Sequence, residues 1–240
     1  MRKLIFDLGM HKGEDTEFYL SKGFHVVAVE ANPFLCEYVH QKLQNQIQNK
    51  TLQIINNGIG DKCGVFEFYI NNSHSVWSSF NKEIGSRESG VQKVEIQMLR
   101  FENLVSKYGV PYYAKIDIEG YDHYVLESLV NLKEKPKYIS VENGFPFMLD
   151  LLTASGYDSF KFINQAEISK MVCPKPALEV NEVEWFFSLG SSGPFGEETL
   201  GEWQSYDEVL KSIKNHWDNP QKNAWYDLHA RHPSSPALLT

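Results

Sequence analysis

Continuous apolar runs alternate with helical patterns through the first two thirds of the chain. The apolar runs predict five strands, at residues 3–7, 25–30, 52–56, 113–118 and 138–142. Helical patterns separate them, over 14–22, over 124–132 and at Leu35, Val39, Leu43 and Ile47. Strands that are apolar throughout, rather than at alternate positions, form parallel sheets covered by helices on both faces. The pattern therefore predicts an α/β fold with a mostly parallel central sheet.

Two segments between the third and fourth strands alternate instead. Residues 65–70 and 94–98 have a period of two, which predicts a small antiparallel insertion. The polar loop that joins them, 71–90, is long. Long loops in compact domains commonly bind ligands or cover sites.

The last third of the chain predicts the end of the domain and a tail. Residues 157–163 and 182–189 have the pattern of closing strands, and the segment GSSGPFGEET (190–199) has the composition of a linker. Beyond it, apolar positions at helical spacing predict a helix over 206–217. We therefore expect a domain over 1–189, and a linker with a helical C-terminal tail over 190–240.

Two of the predicted strands end on a carboxylate. Asp7 closes the first strand before Gly9 and Gly13, and Glu30 closes the second strand. Ligands of open parallel sheets bind beyond the carboxyl ends of the strands. There, glycines let a ligand approach the backbone, and an acid after the second strand accepts hydrogen bonds from a ribose. This arrangement predicts a site for a nucleoside cofactor.

The turn after the first strand indicates which cofactor. A dinucleotide site has the pattern G-x-G-x-x-G, whereas this turn has only Gly9 and Gly13, with Glu14 and Asp15 at the helix start. Together with Asp7, these acids repel a pyrophosphate. They favour a cofactor that carries an amine and a sulfonium, S-adenosylmethionine. The alternative is that Asp15 is a helix N-cap and Asp7 a turn residue.

Two further predicted strands end in polar residues. The fourth runs into Asp117 and Glu119, with Gly120 in the turn, and the fifth ends in Glu142 and Asn143. The carboxyl ends of parallel strands meet at one edge of the sheet. Four strand tips therefore supply polar groups to the same edge.

Composition and charge narrow the range of partners. The net charge of −8 at pH 7 argues against a nucleic-acid partner, which needs a basic face, and no basic block suits a membrane. Cys36, Cys63 and Cys173 are too few and too scattered for a disulfide framework or a zinc site. No apolar run has the length of a signal peptide or a membrane span. We therefore expect a cytoplasmic protein with reduced thiols.

Five segments resemble, in order, the motifs of FkbM-type methyltransferases. They are DLGMHKGEDT, VVAVEANP, NNGIGD, AKIDIEGYDHYVLESL and ISVEN. The first and fourth are the most specific, and the resemblance spans 4–189. It implies the class I Rossmann-like fold and S-adenosylmethionine-dependent O-methylation of a hydroxyl on a sugar, a glycan or a natural product. The chain departs from the family in having no segment before the first strand, so a substrate cap is expected from the central loop or the tail.

Carried over by position, the resemblance also implies which residues contact the cofactor. The methionine end is expected to contact Asp7, Gly9 and Met10, with Thr16 behind them. The ribose is expected at Glu30, beside Ala31. The adenine is expected beside Gly58 and Ile59, and the sulfonium is expected beside Asp117.

Methyl transfer to a hydroxyl also needs a proton acceptor. The candidates near the sheet edge are Asp117, His123, Glu142 and His11. His123 follows the turn after the fourth strand, and the pKa of histidine suits the role. The alternative is that His123 is an ordinary surface residue.

A metal ion is an open alternative at the same edge. Asp117, Glu142 and Asn143 would offer the oxygen ligands that Mg²⁺ prefers, by analogy with some other O-methyltransferases. The sequence analysis favours a metal-free site, in which Asp117 serves the cofactor and the other two residues form a turn. Because the histidines do not cluster, zinc is not expected.

Two other functions share part of this pattern. An NAD-dependent oxidoreductase would also have a Rossmann domain and an acid at Glu30, but the third glycine is missing. A non-catalytic nucleoside-binding module is the other alternative. The complete set of strand-tip residues argues against it, because a module without activity would not need them. For the methyltransferase, Trp77 in the polar loop is either an ordinary packing residue or an aromatic face for the sugar or other small-molecule acceptor, and the tail is a candidate homodimer element.

Overall fold

The chain alternates strands and helices, and the computed structural model describes residues 3–88, 90–222 and 224–233. The strands are β1 (Leu4–Leu8), β2 (His25–Glu30), β3 (Leu52–Asn56), β4 (Gly58–Ile59), β5 (Gly64–Asn71), β6 (Val91–Leu99), β7 (Tyr113–Ile116), β8 (Tyr138–Glu142), β9 (Ser159–Asn164) and β10 (Tyr226–Arg231). The α-helices are α1 (Glu14–Ser21), α2 (Pro33–Lys42), α3 (Gln44–Gln48), α4 (Lys82–Gly85), α5 (Phe101–Tyr108), α6 (Asp122–Asn131), α7 (Pro146–Ala154) and α8 (Tyr206–Asp218). The five buried strands predicted from the apolar runs are all present.

Within the described residues, the central sheet has seven strands in the order β3-β2-β1-β7-β8-β10-β9. The strands from β3 to β8 pair in parallel, and β10 is antiparallel to both of its neighbours. The strand order reverses between β1 and β7, the position at which open α/β sheets bind ligands. The predicted α/β, Rossmann-like fold is therefore confirmed.

Each face of the sheet packs against its own apolar layer, because successive side chains of a strand point to opposite faces. Phe6 and Leu8 of β1 pack on one face with side chains from α5, α6, α7 and α8. Ile5 packs on the other face, with side chains of α1, α2 and the segment 163–203. No helix within the described ranges is long and apolar enough to cross a membrane.

The predicted insertion is confirmed as a second, three-stranded sheet in the order β4-β6-β5. Its β5 and β6 pair antiparallel from Gly64–Met98 to Asn71–Val91. The loop between these strands contains α4 and a short 3₁₀ helix, Ser75–Trp77. An isolated pair between Tyr69 and Ser79 ties the loop back onto β5.

The predicted closing strand at 182–189 is wrong. Trp185 and Phe187 point inward and pack on Phe18 of α1, with ring centroids 5.7 and 4.9 Å apart. This alternation of buried residues imitates a strand, but the segment makes a single bridge, Val172 with Phe186. The last strand of the sheet is β10, which the sequence analysis had assigned to the tail.

The predicted linker is also wrong, because most of residues 191–199 are buried. The ring of Phe195 stacks on Tyr113 of β7, with centroids 4.2 Å apart. The Glu198 carboxylate accepts a 2.7 Å hydrogen bond from Lys22 Nζ, and both side chains are fully buried. We refer to residues 190–200 as the strap. It belongs to the core of the domain despite its glycines and serines.

The predicted tail helix is confirmed as α8, and it packs on α7 and β9. Val209 and Ile213 are fully buried, and Trp217 stacks on Phe145 with centroids 4.6 Å apart. The centre of the helix's apolar stripe is therefore covered by the same chain, whereas Trp217 at its end stays 42% exposed. A boundary at residue 189 would separate β10 from the sheet to which it belongs, and α8 from the helix and strand on which it packs.

Candidate functional site

A cleft of about 640 Å³ opens at the carboxyl edge of the sheet, where the strand order reverses. This volume includes the space at the mouth of the cleft that is open to solvent. The residues that line the cleft come from the ends of β1, β2, β4 and β7, from α2, and from β5 and the loop after it. They are Gly9, His11, Val29, Glu30, Ala31, Leu35, Asn57, Gly58, Ile59, Phe68, Ser75, Val76, Ser78, Phe80, Asp117, Ile118 and Glu119.

Gly9 holds the turn after β1 tightly against the end of β7. Its φ is +86°, and a Cβ at this position would lie 1.7 Å from the carbonyl oxygen of Asp117. Its N–H donates to the carbonyl of Val29, 2.9 Å away. A side chain at residue 9 would therefore push the two strand ends apart and change the floor of the cleft.

Glu30 lies at the end of β2 with its carboxylate fixed by two backbone amides. Oε2 accepts from the N–H of His11 at 2.9 Å, and Oε1 accepts from the N–H of Asn32 at 2.8 Å. Burial raises the pKa of Glu30, and the two amide hydrogen bonds oppose this shift. Because a carboxylate oxygen accepts more than one hydrogen bond, both oxygens remain able to accept from a ribose diol.

The loop after β5 covers the cleft from the insertion side. The Phe80 ring lies so close to Gly58 that a Cβ there would be 2.3 Å from it. Ser75 Oγ is 2.8 Å from His11 Nε2, and Ser79 Oγ donates to the carbonyl of Glu119 at 2.7 Å. The insertion is thus tied by hydrogen bonds to both turns that form the floor.

Three carboxylates lie together at one end of the cleft. Asp117, Glu119 and Glu142 each offer an oxygen, and these oxygens lie within 4.8 Å of one another. Burial and the neighbouring Asp117 raise the pKa of Glu119 to about 8, and burial with Asp117 and Glu119 raises that of Glu142. We call these residues the acidic cluster. Two of its members, Asp117 and Glu119, also line the cleft.

Residues 7–159 match the family model of the methyltransferase FkbM domain. The chain belongs to this family. It is therefore an S-adenosylmethionine-dependent methyltransferase, as the resemblance of its motifs implied. The cleft suits the cofactor, because Glu30 can receive a ribose and the glycine turn admits a ligand close to the backbone.

Solved structures of other methyltransferases are similar to this FkbM methyltransferase at low sequence identity. The precorrin-6y C5,15-methyltransferase of Geobacter metallireducens is 10% identical with a TM-score of 0.43, covering 96% of this chain and 80% of that one. A SAM-dependent methyltransferase from Archaeoglobus fulgidus is 13% identical with a TM-score of 0.42, covering 96% and 86%. Comparison with curated proteins finds no match.

Six of the nine residues expected to contact the cofactor line the cleft of the FkbM methyltransferase. They are Gly9, Glu30, Ala31, Gly58, Ile59 and Asp117. Asp7, Met10 and Thr16 lie behind the cleft wall, and all three are buried. Thr16 Oγ1 donates to Asp7 Oδ2, whereas Asp7 Oδ1 has no hydrogen-bond partner within the described chain. A direct contact between these three residues and the cofactor stays a prediction.

Asp15 serves the strap rather than the cleft. Its carboxylate accepts the backbone N–H of Ser192 at 3.0 and 3.1 Å. Burial raises its pKa to about 7. The suggestion that Asp15 is the N-cap of α1 is wrong, since that position is held by Gly13.

The expected proton acceptors are spread over different positions. Asp117 and Glu142 belong to the acidic cluster, and His11 lines the cleft. His123 is not among the lining residues, and its ring packs against that of Tyr124 with centroids 3.9 Å apart. Trp77, expected to face a sugar, lies outside the lining with its ring against His74.

One residue of the site, Lys115, was missed from the sequence, and Glu119 was recognised as a strand-tip acid but not as a member of the acidic cluster. Lys115 is buried; its Nζ donates to the carbonyl of Gly9 at 2.7 Å and lies 3.3 Å from Asp117 Oδ2. A lysine inside an apolar strand, two residues before the strand-end acid, was the available signal. Glu119 takes the place expected for Asn143, whose amide instead donates to Glu142 at 3.0 Å.

Proposed function

We propose that this FkbM methyltransferase transfers a methyl group to a hydroxyl of a sugar, a glycan or a related natural product. The supporting observation is that the cofactor cleft and the acidic cluster share Asp117 and Glu119. A hydroxyl acceptor donates a hydrogen bond and must lose a proton, and carboxylates serve both needs. The acidic cluster would therefore hold the acceptor beside the cofactor.

In this proposal, the residues of the site position the two reactants. Glu30 would hold the ribose, while Gly9 and Gly58 allow close approach of the cofactor to the floor and to the Phe80 ring. The cofactor supplies an electrophilic methyl group on its sulfonium. With the cofactor bound, a carboxylate of the acidic cluster would take the hydroxyl proton as the acceptor oxygen gains the methyl group and S-adenosylhomocysteine leaves with the electrons of the broken carbon–sulfur bond.

The nucleoside half of the site is tested by Glu30→Ala. We expect S-adenosylhomocysteine to bind more weakly by about 1.5–3 kcal/mol, because hydrogen bonds to a charged group are lost. Isothermal titration calorimetry measures the change, with Glu37→Ala on the exposed face of α2 as the control. Unchanged affinity in a folded Glu30→Ala protein would contradict the assignment.

The acceptor is tested with cofactor that carries a deuterated methyl group. Incubation with panels of sugars, glycans and other hydroxyl compounds should give products that mass spectrometry detects, and NMR should locate the methyl group on oxygen. A methyl group found on nitrogen or carbon would refute O-methylation while leaving the methyltransferase family intact.

A cytoplasmic location is part of the same proposal. Cys36, Cys63 and Cys173 are free in the structure, which supports the expectation of reduced thiols. Fractionation of cells that express the tagged protein tests this location.

A further inference from the structure

The acidic cluster has a fourth carboxylate behind it, supplied by β10. The β8–β10 ladder places Asp227 directly opposite Glu142. Directly opposed residues of an antiparallel pair have their side chains on one face, with Cβ atoms about 4.5–5.5 Å apart. Like charges in such a pair are destabilising. Glu142 and Asp227 therefore need a positive charge between or beside them if both are ionised.

Asp227 is also buried without a hydrogen bond. It is 5% exposed, and among the described residues its carboxylate interacts electrostatically with Lys115 but forms no hydrogen bond. Its neighbour Leu228 packs in the layer of α7 and α8, so Asp227 points to the opposite face, towards the acidic cluster. A buried charge costs several kcal/mol unless it is paired.

The chain's own cations do not balance the charge that Glu142 and Asp227 carry when both are ionised. The positive charge of Lys115 attracts the Asp227 carboxylate. Lys115 Nζ, however, already donates to the Gly9 carbonyl and lies 3.3 Å from Asp117. The positive charge of Arg87 attracts the Glu119 carboxylate, but Arg87 is an exposed residue of a loop. One buried lysine thus faces four carboxylates at this end of the cleft.

The spacing of the acidic cluster fits a single bound ion. Oxygens on opposite sides of one ion lie about 4.0–5.2 Å apart, given Mg²⁺–oxygen and Ca²⁺–oxygen distances of about 2.0–2.6 Å. The oxygens of Asp117, Glu119 and Glu142 lie within 4.8 Å of one another. Hard divalent cations prefer such all-oxygen ligands.

We propose that Asp117, Glu119 and Glu142 bind a divalent cation of the Mg²⁺ type, with Asp227 supplying the supporting charge behind Glu142. This reverses the metal-free alternative favoured by the sequence, because Glu119 and Asp227 were not part of that comparison. The role of the ion rests on the proposed function: it would hold the acceptor oxygen at the end of the cleft and favour loss of its proton. Binding of the ion does not depend on that role.

The test uses Mn²⁺ alone as the probe, with protein first stripped by EDTA. Electron paramagnetic resonance of free Mn²⁺ should show one site per chain. Asp227→Asn should weaken it by about 10–100-fold, the range seen when the partners that support metal ligands are changed, and Glu142→Gln, which alters a ligand itself, should weaken it at least as much. Glu127→Gln, an exposed acid on α6, is the matched control and should leave the affinity unchanged.

Two results would overturn the metal site. One is Mn²⁺ binding no stronger than background. The other is equal affinity in all three variants. Glu119→Gln replaces Asp227→Asn if the latter does not fold, as judged by a cooperative thermal unfolding transition. If Mn²⁺ binds but S-adenosylhomocysteine does not, the proposed function fails and the metal site stands. If S-adenosylhomocysteine binds but Mn²⁺ does not, the metal site fails and the proposed function stands.

Discussion

The buried ion pair between Lys22 and Glu198 should contribute strongly to stability and hold the strap on the domain. The Lys22→Met variant removes the ammonium and leaves a buried carboxylate. Glu198 Oε1 keeps only the backbone amides of Leu178 and Glu179, each 3.0 Å away, and Oε2 has no partner within the described chain. Breaking a buried pair in this way costs about 3–5 kcal/mol. We therefore expect a loss of this size in the free energy of unfolding.

Urea denaturation at neutral pH measures the loss, and two further variants interpret it. Lys170→Met breaks an exposed 2.8 Å pair with Glu167 and should cost no more than about 1 kcal/mol. Glu198→Gln in the Lys22→Met background removes the unpaired charge but keeps an acceptor for the two amides. This double variant should therefore be more stable than Lys22→Met alone. If Lys22→Met costs as little as Lys170→Met, the pair does not hold the strap.

Two other predictions concern the turn after β1 and a buried histidine. Gly9→Ala should abolish S-adenosylhomocysteine binding by calorimetry, whereas Gly109→Ala, which has a similar φ of +87° and no atom within 4 Å, should lose only about 1–2 kcal/mol in stability. Burial lowers the pKa of His229 to about 3 from 6.5, so the unfolded chain binds the extra proton and stability falls as the pH drops from 6.5 towards 3. His229→Leu should remove this part of the acid sensitivity in urea titrations at pH 7 and 5, and an unchanged pH dependence would contradict it.

The location of the strand-tip acids could be predicted, because it depends only on their position at the end of an apolar run. Asp7, Glu30, Asp117 and Glu142 each close an apolar run, and parallel strands bring such ends to one edge whatever the loops between them do. The Gly9 turn was recognisable for the same reason. The close contact between Gly9 and the Asp117 carbonyl could not be predicted, because the two residues are more than a hundred positions apart in the sequence.

The strap and the segment before it could not be predicted, because the local composition indicates one structure and the tertiary packing produces another. The sequence GSSGPFGEET has the residues of a linker, yet Phe195 stacks on Tyr113 and Glu198 pairs with Lys22. Conversely, residues 182–189 alternate like a strand and form none. Local patterns report which side chains face inward, but they do not show whether the backbone has a partner.

The assignment of β10 to the tail had the largest consequence for the site. Two of its buried positions are Asp227 and His229, so the strand lacks the continuous apolar run that marks the other buried strands of the sheet. Because β10 runs antiparallel to β8, its first residues lie at the edge where the parallel strands end. A polar residue near the start of β10 therefore joins the same edge as Glu142. The C-terminal segment thus completes the acidic end of the cleft, and truncation after residue 189 would remove a carboxylate of the site together with a strand from within the sheet.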